Sequence, residues 1–402
     1  MEKKNQVPKY PPLRFPEFTD EWKKVKLGEV GEYVRGLTYG TDDVQDTGTI
    51  VIRANNLNDG CPIDFKTELV HVSILPDPHQ ILRNTDITIC MANGSSHLVG
   101  KASYCCDASL GTITVGAFCG IFRSTNDLVR WIFQTPTYKR YIYKAIQGGN
   151  GAIANLKGDD ILNQSYFLPS LAEQKKIAGL LSAIDERIEV QNAIIKEQEA
   201  QKASLLRHLF DRTLRFPEFT DEWKKVKLGE VTCERNETNA PTLPLLSITA
   251  DKGIIPQTDS EKKDVSNADK SKYKRICAGD IGYNTMRMWQ GRSALSFVEG
   301  IVSPAYTIVT PLEGLSPLFL SYLIKRPRLI YEFWTHSQGL VEDTLNCKYK
   351  DLSQIAIFLP SLPEQKKIAG LLSAIDERIA VETEYAALLQ KQKAYLLRQM
   401  FV

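Results

Sequence analysis

The sequence predicts an α+β protein in which two unlike modules, each a mixture of helices and strands, are separated by two copies of one long helix. Three observations predict this fold class: a lead segment occurs twice, a helical segment occurs twice, and the stretches between the copies are dissimilar. The chain has 402 residues, whereas a domain usually has ~100–200, so two or three domains are expected. A hydrophobic content of 43% and a charged content of 24% are typical of a soluble globular protein.

The lead segment is repeated letter for letter. Residues 13–30 read LRFPEFTDEWKKVKLGEV, and residues 214–231 have the same sequence. Only this segment and the helical segment recur, so the chain is not a solenoid of stacked repeats. The repeated lead and helical segments therefore form identical frames around two different inserts. Identical frames indicate one docking function used twice, and different inserts indicate two different recognition functions.

The helical segment is repeated with one substitution. Residues 168–188 read LPSLAEQKKIAGLLSAIDERI, and residues 359–379 differ only in having Pro363 where the first copy has Ala172. The repeats predict four parts: residues 1–167 are the lead segment and first module, 168–211 the first long helix, 212–358 the second lead segment and module, and 359–402 the second long helix.

Each long helix has a predicted start and a predicted seam. Ser170 with Glu173, and Ser361 with Glu364, match the capping box that begins helices. Apolar side chains then recur at alternating spacings of three and four residues, as in a coiled coil. We predict an antiparallel coiled coil with pseudo-twofold symmetry, whose seam residues are Ile177, Leu181, Ile184, Ile188, Leu205, Leu209, Ile368, Leu372, Ile375, Ile379, Leu389 and Leu396.

Polar residues interrupt this predicted seam. They are Gln191, Gln198 and Lys202 in the first helix and Glu382 and Lys393 in the second. Buried polar seam residues lower stability but can fix register and partner. The alternative is two independent amphipathic helices, each lying on its own domain, although segments of this length are long for surface helices.

Several classes of protein are excluded by the sequence. No apolar run approaches the ~20 residues that span a membrane, and residues 1–10 lack the apolar core of a signal peptide, so we expect a cytoplasmic chain without membrane contact. The eight cysteines form no C-x-x-C pair, and the five histidines form no H-E-x-x-H motif. This predicts no metal, no cofactor, and reduced, mostly buried thiols.

Motifs of enzymes that act on nucleic acids are missing from the sequence as well. Pro11-Pro12 lacks the flanking residues of the N-P-P-Y-like turn of adenine methyltransferases. The nearest P-loop match, at residues 94–102, has one residue too many between its glycines, and Ala102 replaces the Mg²⁺-binding hydroxyl. Glu261-Lys262-Lys263 lacks the companion acids of a nuclease. The chain is therefore expected to be non-catalytic.

The paired motifs resemble the specificity subunits of type I restriction–modification systems. P-x-L-x-E-Q-x-x-I-A occurs at residues 169–178 and 360–369, and W-K-K-V-K-L-G-E-V begins at Trp22 and Trp223. The resemblance covers nearly the whole chain and implies two target-recognition domains, each reading one half of a bipartite site in double-stranded DNA. It also implies that the repeated helices dock two modification (methyltransferase) subunits, that restriction (translocase–nuclease) subunits join them, and that this chain carries no catalytic residues.

Net charge alone does not indicate nucleic-acid binding. The chain carries +2; residues 31–167 hold 11 basic and 13 acidic side chains, and residues 232–358 hold 15 and 14. A strongly basic DNA-binding domain would differ. DNA binding is therefore expected to depend on local patches, with partner subunits neutralising many of the phosphates.

One faint correspondence between the modules locates the predicted reading loops. Asp86 and Asp280 each begin a predicted strand, and a polar loop then leads to Gly100-Lys101 or to Gly291-Arg292. In the major groove, Arg and Lys match guanine, whereas Asn and Gln match adenine. The predicted DNA-binding residues of these two loops are Asn93, Ser95, Ser96, His97 and Lys101 in the first module, and Asn284, Arg287, Trp289, Gln290 and Arg292 in the second.

A second pair of loops supplies further candidates. Arg53, Asn55 and Asn56 follow a predicted strand in the first module, and Thr249 and Lys252 hold a similar place in the second. Any of these side chains could instead face water or phosphate, and Trp289 could belong to the core. The remaining strand-like runs lie at residues 49–53, 86–90, 111–115, 301–309 and 355–358, with helices at 128–146 and 317–334.

Three other functions stay open. A nuclease or methyltransferase acting alone would be active as the isolated chain. A coiled-coil adaptor for proteins only would not bind duplex DNA. The same kind of subunit in a methylation-only complex would have no restriction subunit as a partner.

Overall fold

The computed structural model describes residues 10–147, 154–249, 253–260, 269–339 and 344–402, and the chain divides into two compact units. The first unit comprises Met1–Ala193 and Thr383–Val402, and the second comprises Ile194–Glu382. Each unit contains one module and part of each long helix. The predicted α+β class is confirmed, because both modules mix short strands with helices.

The first unit contains twelve strands within the described ranges. They are β1 (Lys23–Lys26), β2 (Glu32–Arg35), β3 (Val44–Gln45), β4 (Thr49–Ile52), β5 (Val70–Val72), β6 (Ile87–Cys90), β7 (Ala92–Asn93), β8 (Ala102–Tyr104), β9 (Ile113–Val115), β10 (Cys119–Arg123), β11 (Ala154–Asn155) and β12 (Ser165–Leu168). Its helices are α1 (Leu27–Val30), α2 (Val129–Ile132), α3 (Pro136–Ile146), α4 (Gly158–Leu162) and the first part of α5 (Leu171–Phe210).

The second unit has a similar set of elements. Its strands are β13 (Lys224–Lys227), β14 (Thr232–Glu234), β15 (Leu246–Ile248), β16 (Ile254–Pro256), β17 (Lys274–Ile276), β18 (Ile281–Asn284), β19 (Ser293–Leu295), β20 (Gly300–Val302), β21 (Tyr306–Pro311) and β22 (Ala356–Leu359). Its helices are α6 (Leu228–Val231), α7 (Pro317–Leu323), α8 (Pro327–His336), α9 (Tyr349–Leu352) and the first part of α10 (Leu362–Gln399). The last part of α5 also lies in the second unit, and the last part of α10 lies in the first.

One antiparallel sheet has the same layout in both units. The strand order is β2-β10-β6-β8 in the first unit and β14-β21-β18-β19 in the second. The first unit adds a sheet of order β3-β5-β4-β9, whereas the second has the separate pairs β15-β16 and β17-β20. The modules therefore share a central scaffold that sequence comparison shows only faintly, and they differ around it.

Prolines divide three elements that the sequence predicts as continuous. The helix predicted at 128–146 breaks before Pro136, where Thr135 accepts a hydrogen bond from the Tyr138 N–H and begins a new helix. The helix predicted at 317–334 restarts at Pro327, and the strand predicted at 301–309 turns around Pro304. Proline lacks an N–H and restricts the residue before it, so it begins elements more readily than it continues them.

The lead segments close the modules. Lys23 of β1 lies opposite Leu168 of β12, and Lys224 of β13 lies opposite Leu359 of β22, both in antiparallel pairs. Each lead segment therefore pairs with the strand that runs directly into a long helix. The two ends of each module are held together by this strand pair.

A half-buried arginine paired with a buried glutamate fixes each lead segment to its helix. Arg14 donates through Nε and Nη2 to the Glu173 carboxylate at 2.7 and 2.8 Å, and Arg215 donates in the same way to Glu364 at 2.8 Å. Ser170 accepts the Glu173 N–H at 3.4 Å, which is one half of the predicted capping box. The glutamate carboxylates, expected to complete the boxes, bind the lead-segment arginines.

The long helices pack against each other in the first unit. Asp185 pairs with Lys393 at 2.6 Å, and Arg187 contacts the Tyr385 hydroxyl. Positions advance along α5 as they retreat along α10, so the helices are antiparallel here. The predicted seam residues Ile177, Leu181, Ile184, Leu389 and Leu396 are buried, and Ile188 is half-buried.

The second unit shows the same packing with the roles of the helices exchanged. Leu209 of α5 shares a core cluster with Ile368 and Leu372 of α10, and Lys202 pairs with Asp376. The seam residues Leu205, Ile375 and Ile379 are half-buried. The predicted antiparallel pairing is therefore found within each unit. None of the helices in the described ranges is both long and apolar enough to cross a membrane.

Candidate nucleic-acid interface

The first predicted reading loop connects β6 and β8. Asn93 begins it by accepting the Ser95 N–H through Oδ1 at 2.9 Å. A turn of 3-10 helix spans Ser96–Leu98, and Ser95, Ser96 and His97 are exposed there. Lys101 is half-buried at the start of the return strand. The loop therefore presents a compact row of hydroxyl, imidazole and ammonium groups.

The second predicted reading loop connects β18 and β19 and is built in the same way. Asn284 accepts the Met286 N–H through Oδ1 at 3.0 Å, and a 3-10 turn spans Met288–Gln290. Arg287, Gln290 and Arg292 are exposed, while Trp289 is half-buried and donates its indole N–H to the Met286 carbonyl. This loop presents two guanidinium groups and an amide.

A left-handed glycine ends each loop at an equivalent contact. Gly100 has φ +80° and lies against Ile142 of α3, so that a Cβ atom would meet Ile142 at 2.5 Å. Gly291 has φ +72°, and a Cβ atom there would meet Ile330 of α8 at 2.9 Å. Only glycine adopts this conformation at such close approach. The correspondence expected from sequence is thus seen in the geometry of both loops.

Buried acid–arginine pairs hold the strands that lead into the loops. Asp86 accepts the Arg83 N–H at 2.8 Å and binds Arg123 at 2.7 Å. Asp280 accepts the Cys277 N–H at 2.7 Å and binds Arg235 at 2.7 Å. The hydrogen bonds to these carboxylates raise the pKa of Arg123 and of Arg235 above the ordinary arginine value. The charges stay paired, so each strand is fixed at the base of its loop.

The first module brings two predicted loops to one cavity. Arg53, Asn55 and Asn93 line a cavity of about 650 Å³, beside the exposed ring of Phe118. Arg53 Nη2 donates to the Glu68 carbonyl at 3.1 Å, and Asn55 Nδ2 donates to the Glu68 carboxylate at 2.7 Å. These contacts orient both side chains at the rim. Phe118 was not predicted from sequence, since a single aromatic residue in a turn carries no distinctive signal.

Asn56 does not belong with these exposed candidates. Its side chain is fully buried, donates to the Thr67 carbonyl at 2.6 Å and accepts the Arg53 N–H at 3.0 Å. Its hydrogen-bonding groups are used to shape the loop, so it has no free edge to offer a base. The prediction that Asn56 reads DNA is corrected to a structural role.

The second loop of the second module is described only in part. Thr249 is half-buried and donates its hydroxyl to the Gly253 carbonyl at 2.9 Å, which closes a turn. Lys252 lies outside the described residues. The structure therefore shows Thr249 in a turn-closing contact and gives no position for its predicted partner.

Helix α3 carries a basic and aromatic surface that was not among the predicted DNA-binding residues. Lys139, Arg140, Tyr143 and Lys144 are all exposed on it. The signal was the run TYKRYIYK, which alternates tyrosine with lysine and arginine and contains no acid. The predicted DNA-binding residues all lie in loops, so this helix was not among them.

The cysteines and acids were also candidates for a metal site. No group of three or more His, Cys, Asp or Glu residues able to hold a metal ion is found there. Cys90, Cys105, Cys119 and Cys347 are buried, but the other four thiols are exposed or half-buried, so the expectation of mostly buried cysteines is wrong. Burial raises the pKa of Cys105 and of Cys347 to about 12, which keeps both thiols neutral.

These two modules correspond to two matches with one family. The sequence profile described as "Type I restriction modification DNA specificity domain" matches residues 19–200 and again residues 220–391. The chain belongs to this family. Each of its DNA specificity domains contains one four-stranded scaffold sheet with its loop and continues into a long helix. The resemblance inferred from the paired motifs is confirmed.

Individual relatives agree with this assignment. The chain is 30% identical over 187 residues to the type I restriction enzyme StySPI specificity subunit of Salmonella potsdam, covering 44% of this chain and 39% of that one. It is 30% identical over 174 residues to the EcoKI specificity subunit of Escherichia coli (strain K12), covering 40% and 36%. The matches thus span less than half the length of these two relatives. A 23% identical match to the MjaVIII specificity subunit of Methanocaldococcus jannaschii covers 96% of this chain and 92% of that one.

Solved structures share the fold. The S subunit of a type I restriction–modification system from M. genitalium is 13% identical and has a TM-score of 0.62, with 98% of this chain and 99% of that chain covered. A second chain, from a study of complex assembly in the type I system, is 17% identical with a TM-score of 0.53, covering 96% and 98%. At these identities the likeness concerns the fold alone.

Proposed function

We propose that this chain is a non-catalytic specificity subunit whose two domains each read one half of a bipartite site in double-stranded DNA. Methyl transfer, and cleavage where a restriction subunit is present, are assigned to partner subunits.

One observation carries the proposal: the same loop scaffold presents different side chains in the two modules. In both, an asparagine accepts the N–H two residues on, a 3-10 turn follows, and a left-handed glycine ends the loop. Between these fixed points the first loop offers Ser95, Ser96 and His97, and the second offers Arg287 and Gln290. A shared scaffold with different base-facing groups suits two readers of different half-sites.

The repeated helices are proposed to dock two modification subunits. Val190 of α5 and Val381 of α10 occupy the same repeat position, and both are exposed. Two equivalent exposed apolar side chains on two equivalent helices suit two copies of one partner. Replacing both with aspartate should weaken co-purification of a modification subunit, whereas the exposed Glu186→Ala change should not.

The test of the main proposal is a module exchange. Replacing residues 31–167 by the module of another family member, in the chain assembled with its modification subunit, should change one half of the methylated genomic site. The other half, set by the second module, should stay the same. If both halves change together, or neither changes, independent reading by the two domains is wrong.

A further inference from the structure

We propose that helix α3 (Pro136–Ile146) holds the sugar–phosphate backbone of the first half-site through Arg140, Lys144 and neighbouring Lys101. The inference rests on the proposed DNA-reading function and adds a division of labour to it. The loop would select bases, and the helix beside it would grip phosphates. The equivalent helix of the second module would lack this basic surface.

Positive charge is concentrated on helix α3. Helix α3 carries Lys139, Arg140 and Lys144 and no acidic residue within its eleven residues. The surrounding segment, residues 31–167, holds 11 basic and 13 acidic side chains. Positive charge is therefore gathered on one helix of a module that is otherwise acidic. Phosphate contacts depend on such local charge and not on net charge.

Helix α3 is oriented with its basic face toward solvent. Tyr138 and Ile142 form the buried face of α3 and pack into the module core. The opposite face carries Arg140, Tyr143 and Lys144, and the Tyr143 side chain is 60% exposed. Arginine, lysine and tyrosine side chains all contact phosphates in complexes with duplex DNA, so this face suits the DNA backbone.

Helix α3 lies directly beside the first reading loop. The Tyr138 hydroxyl donates to the Gly100 carbonyl at 2.8 Å, which fixes the helix to the end of the loop. A groove of about 330 Å³ lies between them, with His97 and Lys101 on one side and Lys139 and Tyr143 on the other. A strand whose bases meet the loop would therefore bring its phosphates to α3.

Most of the cations on this surface have no acidic partner in the described ranges. In the described ranges, Lys139 pairs with Asp59 at 2.6 Å, whereas the Arg140 side chain donates to a neutral hydroxyl, that of Thr137, at 3.2 Å. Within the part of the chain that the structure describes, no carboxylate forms an ion pair with Lys101 or Lys144. Arg140 and Lys144 are thus exposed and Lys101 is half-buried, and in the described ranges none of the three is paired with an acid.

Helix α8 of the second unit provides the matched comparison. It packs on its loop through Ile330 and Gly291, as α3 does through Ile142 and Gly100. Its charged residues are Arg328 and Glu332, which cancel, and its exposed aromatic pair is Tyr331 and Trp334. The same structural position is therefore basic in one module and neutral in the other.

The experiment measures DNA affinity against salt for the full chain assembled with its modification subunit. The probes are a mixed-sequence duplex and a duplex carrying the site that the wild-type complex methylates. The test variant is Arg140→Gln with Lys144→Gln. Arg140→Lys with Lys144→Arg is the charge-conserving variant, and Arg328→Gln in α8 is the matched control.

The glutamine variant should weaken binding to both duplexes by the same factor and lower the slope of log affinity against log salt by about two, one for each lost phosphate contact. The charge-conserving variant and Arg328→Gln should keep the wild-type slope. An unchanged slope for the glutamine variant, or a loss of selection at one base, would overturn the inference while leaving the proposed function standing. A wild-type complex that does not prefer its own site would contradict the proposed function and remove the basis of this inference.

Discussion

Asp185 and Lys393 join the two long helices of the first unit by an ion pair of 2.6 Å, and the same carboxylate also binds the first module. Arg130 Nη2 lies 2.7 Å and Trp131 Nε1 lies 3.2 Å from Asp185 Oδ2. In the second unit, Asp376 pairs with Lys202 and accepts the Tyr322 hydroxyl at 2.6 Å. The seam lysines that interrupt the apolar pattern therefore meet acids that also hold a module.

Removing the Asp185 carboxylate should destabilise the protein. Asp185→Ala would leave Lys393, Arg130 and the Trp131 N–H without their shared partner in a largely buried site, at a cost of about 3 kcal/mol. Urea unfolding would measure the loss. Glu186→Ala, an exposed neighbour on the same helix, should change stability by less than about 0.5 kcal/mol. Equal effects of the two changes would argue against a special role for Asp185.

Arg287 and Arg292 should select bases. Neither guanidinium forms a hydrogen bond or ion pair with another residue in the described ranges, so both are available to DNA. If either reads guanine, its change to alanine should cost about 1–3 kcal/mol at one base pair only. Binding to a panel of single-base variants at two salt concentrations would show this.

The control for these arginines is Arg275, which is bound by Glu237 and Glu299. Arg275→Ala should leave base selection unchanged. A uniform loss of affinity with a lower salt slope would instead make Arg287 or Arg292 a phosphate contact. No change in either measurement would remove the loop from the interface.

Asn55 and Asn56 are adjacent but should behave differently. Asn56→Ala removes two hydrogen bonds from a buried site and should cost about 1–3 kcal/mol of stability, because the Arg53 N–H and the Thr67 carbonyl lose a partner. Asn55→Ala should affect DNA selection more than stability, since its side chain is exposed. Thermal unfolding and binding assays on both variants would separate the roles. A stability loss for Asn55 but not for Asn56 would reverse the assignment.

Helix length should set the spacer of the DNA site. Inserting one heptad after Gln198 and another after Leu389 preserves the seam and adds ~10 Å at a rise of ~1.5 Å per residue. We expect the spacer to grow by about three base pairs at ~3.4 Å each. Mapping of methylated sites would test this. An insertion in one helix only should instead destabilise the chain, and an unchanged spacer with both insertions would contradict the proposal.

The thiols should divide by burial when alkylated under native conditions. Cys61, Cys106 and Cys233 are exposed and should react with iodoacetamide. Cys105 and Cys347 are buried with pKa values of about 12, so they should stay unmodified at pH 8 until the protein is unfolded. Mass spectrometry of peptides would identify the modified sites. Rapid labelling of Cys105 would show that the core of the first module opens.

The features predicted correctly from the sequence are those that depend on repeats or on residues close together in the chain. Repeats gave the two helices, and the glycines at 100 and 291 marked the ends of two equivalent loops, because a left-handed turn needs glycine. Pro136 and Pro327 also carried a local signal, which would have divided the two predicted module helices correctly. These features depend on neighbouring residues and can be read along the chain.

Distant partners explain what the sequence could not show. The buried Asn56 side chain donates to the Thr67 carbonyl. The Glu173 carboxylate binds Arg14, 159 positions away, where the capping box would have it accept an N–H of its own helix. Neither partner can be chosen from spacing, because many carbonyls and arginines are available to each side chain. The α3 surface is different, since its composition was visible and only its proximity to the loop required the structure.

The two arginine–glutamate pairs have a consequence for how such a chain can change over time. Arg14 with Glu173, and Arg215 with Glu364, lie wholly within duplicated sequence, so neither pair depends on which insert lies between its partners. An exchange of one whole insert therefore leaves both arginine–glutamate pairs intact, whereas a point change at Glu173 would leave the Arg14 guanidinium without its partner. In this respect, exchange of a whole insert preserves contacts that a single substitution in the duplicated parts would remove. Under the proposed function, such an exchange would replace the reader of one half-site in a single step and leave the reader of the other half-site unchanged.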